Sequence, residues 1–297
     1  MSLRSISSGS ARAGHGAAAR VEEPGAPLTP AGFEAARARL GVAPAVLWAV
    51  MAVEARACGF LPDRRPVILF ERHVFHRRTG GRFDAAHPGI SHARPGGYGA
   101  AGAAQHARLA TALALDRRAA LESTSWGLGQ VMGFNAAPAG YADVEALVAA
   151  MRASEDAQLA AMAAFVVARG LAEPLRAHDW AAFARGYNGP AFARNAYDLR
   201  LARARESLAA GPLPDLAVRA AQLRLLYAGL DPGPVDGRMG RRTRAALAAF
   251  RMRAGEPERE AAARAFAAAD LAALERATRR DAVATVGAIF DDGERAA

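Results

Sequence analysis

Apolar positions recur at helical spacing over most of this chain, and the interruptions fall in a few stretches rich in Gly and Pro. Leu28-Thr29-Pro30-Ala31-Gly32-Phe33-Glu34 predicts a helix start, with Thr29 as N-cap and Pro30 at the first helical position. Pro44 opens a second helix whose residues before Glu54 are almost all apolar, which predicts burial on most sides. From Gly59 to Gly99 the periodicity disappears among Gly, Pro, His and Arg, with one strand-like run, Val67-Ile68-Leu69-Phe70. The stretch predicts a long irregular excursion carrying a small β element, and long excursions inside compact domains are usually functional. Helical patterning returns at Gln105 and runs to Leu208, broken at 125–127, 135–140, 170–174 and 186–190. Residues 209–214 read as a Pro/Gly linker. A compact unit follows from Asp215: a helix through Leu226, a turn over 231–237, a helix from Thr243 to about Ala254, and an alanine-rich helical remainder. Residues 1–27 lack periodicity and predict a disordered leader, and 281–297 a frayed tail. The expected architecture is mainly α, in two unequal domains at 28–208 and 215–280.

Composition sharpens this picture. At 297 residues, with 52% hydrophobic and 23% charged positions, the chain can fill at least one substantial core. The single cysteine, Cys58, excludes an intramolecular disulfide and a cysteine-built zinc site. The longest apolar run, 45–53, is about half the length of a membrane-spanning helix, so no membrane-spanning segment is expected. No apolar signal core occurs in the first 27 residues, which predicts synthesis in the cytoplasm without a secretory signal. The net charge of +9 favours polyanions such as phosphates or acidic wall polymers. All 38 basic residues are arginine, however, and alanine is abundant, a pattern that a GC-rich coding bias explains as readily as selection for a basic surface. No recognised motif accompanies the arginines, and no specific nucleic-acid partner is expected.

Three places carry candidate chemistry. Glu54 ends the apolar helix, where desolvation would raise a carboxyl pKa and keep a general acid protonated near neutral pH. Its alternative is a solvated helix end beside Arg56. Residues 123–135 crowd three hydroxyl residues, glycines, Trp126, Gln130 and Asn135 into one turn-rich stretch suited to a sugar's apolar face and hydroxyls. Arg185-Gly186-Tyr187-Asn188-Gly189-Pro190 is a tight turn presenting Tyr187 and Asn188. His73, His76, His87 and His92 include a His-x-x-His pair but no third ligand at fixed spacing, so neither a metal nor any other cofactor is expected. Asp231 and Asp236 read as turn residues.

The order of these features resembles goose-type lysozymes and soluble lytic transglycosylases. More specifically, Pro66-Val67-Ile68-Leu69-Phe70-Glu71-Arg72-His73-Val74-Phe75, Ser125-Trp126-Gly127-Leu128-Gly129-Gln130-Val131-Met132-Gly133 and Gly186-Tyr187-Asn188-Gly189-Pro190 resemble the N-acetylmuramidase domain of bacteriophage endolysins. The resemblance covers about 28–208. It implies a lysozyme-like helical domain with Glu54 as the acid and a cleft lined by Glu71, Ser125, Trp126, Gln130, Tyr187 and Asn188. Glu122 is expected to face solvent. The residues after Glu54, Ala55-Arg56-Ala57-Cys58-Gly59-Phe60, depart from the implied pattern of a Ser or other small residue followed by Gly or polar residues.

The C-terminal unit resembles a small three-helix peptidoglycan-binding domain. The resemblance rests on Val218 to Tyr227, on Gly233-Pro234-Val235-Asp236-Gly237-Arg238-Met239-Gly240, and on Thr243 to Phe250. Gly237 and Gly240 would permit the turn, Thr243 would cap the next helix, and Leu247 and Phe250 would face the core. Departures begin at Glu256-Pro257-Glu258-Arg259.

Together these resemblances imply a monomeric peptidoglycan hydrolase that acts on glycan strands of the cell wall after release or delivery. It would cut between N-acetylmuramic acid and N-acetylglucosamine. A lytic transglycosylase and a non-catalytic wall-binding protein are the alternatives. Because the arginines are spread along the whole chain, attraction to anionic wall polymers should be non-specific and screened. Lysis rates are expected to fall between ~10 mM and ~0.5 M salt, as the Debye length shrinks from roughly 30 Å to under 5 Å. A flat rate profile over that range would remove any role for the net charge.

Overall fold

The computed structural model describes residues 24–54, 58–189 and 192–279; the expected frayed tail and most of the expected leader, residues 1–23, lie outside them. Residues 24–27, assigned above to the leader, are paired. Gly25 and Ala26 donate their N–H groups to Arg152 O and Ala153 O, each at 3.0 Å, and Ala26 forms a parallel bridge with Ser154. Their backbone groups therefore find partners that a local reading cannot supply.

Helix α1 (Pro30–Leu40) starts as its sequence predicts, with Thr29 Oγ1 accepting from Gly32 N–H at 3.0 Å. Helix α2 (Pro44–Glu54) buries Val46, Leu47, Trp48, Ala49, Val50, Met51 and Val53. Each fully buried Val, Leu or Met side chain contributes ~1.5–3 kcal/mol, so burial on nearly every side holds α2 in place. Strand β1 (Ile68–Phe70) and helix α3 (Arg72–Thr79) follow. The stretch read as irregular thus contains a two-turn helix, whose Val74, Phe75 and Thr79 are buried among polar neighbours too dense in His and Arg to show an apolar stripe.

Helices α4 (Ala103–Leu115) and α5 (Arg117–Glu122) lead to strands β2 (Thr124–Trp126) and β3 (Val131–Met132). The three strands form one antiparallel sheet in the order β1-β2-β3, with Leu69 opposite Ser125 and Ser125 opposite Met132. What looks in sequence like a break between helices at 125–127 is the centre of this sheet. Then come α6 (Val144–Ala153), α7 (Glu155–Ala168), α8 (Ala172–Arg176), α9 (Trp180–Asn188) and α10 (Tyr197–Ala210). Helix α7 packs on α1, α10 packs on α2, and one hydrophobic core runs from Leu28 to Leu201.

Helix α10 continues to Ala210, so only 211–214 remain of the expected linker. The C-terminal unit contains α11 (Leu216–Tyr227), α12 (Arg241–Arg253), α13 (Glu258–Ala263) and α14 (Ala268–Thr278). Ala221, Leu225, Ala246, Leu247, Phe250 and Leu274 form a second core. Thr243 is not the N-cap; Gly240 is, and Thr243, 2% exposed, instead donates to Pro232 O at 2.9 Å and accepts from Gln222 Nε2 at 3.1 Å. The divergent end supplies its own closure: Arg251 pairs with Asp270 in the interior at 2.7 Å, which seats α14 against α12 and α11.

The two units are joined by more than the linker. Glu155 and Arg219, both fully buried, pair across the junction at 2.5 Å. Phe60 packs with Leu223 and Val235, and the Tyr227 hydroxyl donates to Gly25 O at 2.7 Å. Separability of the C-terminal unit follows poorly from such a junction. A chain ended at Ala210 would expose Phe60 and leave Glu155 without its cation, and breaking a buried ion pair by removing one partner costs ~3–5 kcal/mol. Calorimetry of the truncated chain should therefore show a markedly lower melting temperature than the full chain; an equal melting temperature would refute the structural role of the junction.

Candidate active site

Glu54 is the last residue of α2, half-buried, at the point where the apolar helix meets α10. Tyr197 opens α10, is 3% exposed, and donates its hydroxyl to Glu54 Oε1. Just before it, Ala196 holds a left-handed backbone at φ 47°. An alanine rarely pays for that conformation, so the turn is imposed by its surroundings and fixes where Tyr197 begins its helix. One turn further, Arg200 Nη2 donates to Val53 O at 3.1 Å, capping the end of α2. Desolvation pushes the Glu54 pKa up to about 8, and the Arg200 charge pulls it back only in part. Glu54 is therefore mostly protonated at neutral pH.

The turn between β2 and β3 is locked from within. Gln130 has φ 47°, its Oε1 accepts from Ser125 Oγ at 2.9 Å, and its Nε2 donates to Gly127 O at 2.8 Å. Tyr187 donates its hydroxyl to Gly129 O in the same turn and stacks on Phe183 with ring centroids 5.2 Å apart. Burial raises the Tyr187 pKa well above its ordinary range, and the charge of Glu54 raises it further. Ser125, Gln130 and Tyr187 thus belong to one hydrogen-bonded group, and Tyr187 and Glu54 feel each other electrostatically.

The other expected residues lie elsewhere. Trp126 is 3% exposed, and its indole donates to Leu121 O at 3.2 Å, so its ring belongs to the core and offers no face to a sugar. Asn188 is exposed at the end of α9. Glu71 precedes α3, with Oε2 buried 3.1 Å from His73 Nδ1 but off hydrogen-bonding geometry. Burial raises its pKa, opposed by a hydrogen bond from Tyr98 and the charge of Arg77. Glu122 does not face solvent as expected. Its side chain is 13% exposed and held by Arg78 at 2.9 Å and Arg118 at 3.0 Å. His76 pairs with Asp84 at 2.7 Å and Ser91 donates to the same carboxylate at 2.5 Å, which ties down the loop after α3.

Tyr197 and Arg200 escaped the sequence reading. In sequence, Tyr197 and Leu201 make an ordinary apolar i, i+4 pair on an arginine-rich helix. The usable signal was a tyrosine at the start of that helix, shortly after Tyr187 and Asn188, which end α9 and do not form the expected turn.

The N-acetylmuramidase family matches residues 43–209, and the peptidoglycan binding domain family matches residues 215–258. Among solved structures, the chain is similar to the crystal structure of a Burkholderia AP3 phage endolysin, at 44% identity and a TM-score of 0.57, covering 62% of this chain and 73% of that one. No curated protein matches.

The raised Glu54 pKa has a thermodynamic consequence. A carboxyl with pKa 4.5 unfolded and about 8 folded binds its proton more tightly in the native state. The stability it contributes is complete below the unfolded value and is lost as pH rises through about 8. Glu54→Gln keeps the shape without the titration, so its melting temperature should gain on the parent's as pH rises from about 5 to about 9. A difference between the two that does not change with pH would contradict the raised pKa.

Proposed function

Since the chain belongs to the N-acetylmuramidase family, we propose that Glu54 is the general acid of a muramidase cutting between N-acetylmuramic acid and N-acetylglucosamine. The enzyme is a glycoside hydrolase acting on peptidoglycan, with its catalytic domain followed by a peptidoglycan binding domain. We assign catalysis to residues 28–208 and wall binding to 215–280, the latter including the closing helix α14 beyond the matched segment.

The observation that carries the assignment of the acid is a carboxyl at the end of an apolar helix, desolvated, protonated near neutral pH and oriented by Tyr197. With Oε1 held by the Tyr197 hydroxyl, Oε2 is left to carry the transferable proton. Glu54 gives that proton to the leaving glycosidic oxygen as the bond to the muramic sugar lengthens and positive charge develops on the ring. The resulting carboxylate then takes a proton from the incoming water, which restores the acid. The turn held by Ser125, Gln130 and Tyr187 supplies a rigid wall near this group. The enzyme works as a monomer on glycan strands, in the manner of a phage endolysin.

General acid assistance is worth ~10²–10⁴ in rate, so Glu54→Gln should lower cleavage of purified sacculi by at least the smaller factor while remaining folded. Glu122→Gln, at a carboxylate engaged by Arg78 and Arg118 and not by the Glu54 group, should keep most activity per folded molecule. Mass spectrometry of the products should show water-added reducing ends. Anhydro ends would make the enzyme a lytic transglycosylase, and an active Glu54→Gln would move the acid to another carboxylate.

A further inference from the structure

The buried carboxylate of Glu155 gathers three separate parts of the chain. Its Oε2 accepts from Leu28 N–H at 2.9 Å and its Oε1 from Gly59 N–H at 2.8 Å. Both oxygens also accept from Arg219, at 2.5 and 2.7 Å, in a two-pronged pair with no exposure on either side. One turn along α7, Gln158 holds the carbonyl of the same glycine: its Nε2 donates to Gly59 O at 3.3 Å, and its Oε1 accepts from Leu128 N–H at 2.7 Å. Gly59, five positions after Glu54, is thus gripped at both its N–H and its C=O.

A side chain at the grip would displace Gln158. A Cβ on Gly59 would lie 1.9 Å from Gln158 Oε1, and one on Gly127 2.5 Å from Gln158 Cδ. Gln158 therefore clamps the exit from the Glu54 helix and the β2–β3 turn to one helix end. The flanking residues are held by the C-terminal unit as well. Phe60 packs on Leu223 and Val235, while Arg64, at the tip of the hairpin leading to β1, lies over the Tyr227 ring and reaches Thr278 O. A buried, paired carboxylate keeps all four of its acceptor positions directed only while its cation is present. Burial alone would lower the Arg219 pKa, yet Glu155 raises it, so the guanidinium stays charged.

Resting on the reading of Glu54 as the acid, we propose that Arg219 is a positioning residue for it, supplied by the wall-binding unit through Glu155 and Gly59. The wall-binding unit is then part of the catalytic assembly and not only its tether. Removing the cation leaves Glu155 to neutralise itself or to draw other donors, and either change releases one of the bonds on Gly59.

The test uses the full chain with Arg219→Met and Arg219→Lys, assayed on purified sacculi, with rates referred to the folded fraction measured by circular dichroism. A displacement of about 1 Å at a catalytic group costs up to ~10²-fold, so Arg219→Met is expected to lose ~10-fold or more in kcat. KM and pelleting with sacculi should stay at the parent's values, because Arg219 is fully buried and contributes nothing to the surface of the C-terminal unit. Arg219→Lys keeps the charge without the fork and should recover part of the kcat. Parental kcat per folded molecule in Arg219→Met overturns the proposal, as does a loss confined to KM and pelleting. Should Arg219→Met fail to fold, Arg219→Lys decides: a reduced kcat at parental KM supports the role and a parental kcat refutes it. Glu54→Gln, measured alongside, separates the two readings. Activity there removes the acid assignment, whereas a dead Glu54→Gln with a fully active Arg219→Met removes only the positioning role.

Discussion

The pairing of Glu155 with Arg219 is the constraint on which the arrangement of this molecule rests. Two charges without exposure to water are tolerated only with their hydrogen-bonding capacity filled, and here every partner is structural. Glu155 begins α7, where the helix N-terminus itself favours a negative charge, and its two oxygens receive Leu28 ahead of α1, Gly59 beyond α2 and Arg219 of α11. Packing alone would leave these three pieces free to slide, because apolar contact is non-directional. The fork of hydrogen bonds gives them one register.

The same economy of polar groups governs the candidate active site. Helix α2 buries almost every side chain it has, which places its terminal carboxyl against surroundings that penalise charge. A neutral carboxyl still needs its oxygens satisfied, and Tyr197 supplies one donor without supplying a positive charge. Arg200 stands close enough to cap α2 yet bonds a backbone carbonyl and not the carboxyl itself. A direct guanidinium contact would have stabilised the carboxylate and removed the proton on which the proposed mechanism depends.

Features fixed by neighbours in sequence were legible: the Thr29 cap, the apolar α2 with Glu54 at its end, and the turn and helices of the C-terminal unit. What escaped depends on distant pairing. Strands β2 and β3 are three and two residues long; β2 is held by pairing with β1, more than fifty residues away, and β3 pairs in turn with β2. Trp126 looks like a sugar platform in a Gly-rich turn, but the sheet turns it into the core. Glu122, apparently a solvent-facing helix end, is claimed by Arg78 from α3. Arg219 is one arginine among 38, and only its position 64 residues from Glu155, on the inner face of α11, distinguishes it.

Enzymes with a catalytic and a wall-binding part invite comparison with interchangeable modules that recombination can shuffle at a linker. The four residues left between α10 and Asp215 offer such a breakpoint, but the Glu155–Arg219 pair does not respect it. A recombinant that replaced the C-terminal unit would inherit the buried carboxylate of Glu155 from one parent with no cation for it from the other. Exchange is open only between chains that carry both halves of the pair, or to lineages that lose both together. The two units of this protein are therefore expected to descend as a single unit of inheritance, with the ion pair acting as a compatibility lock between them.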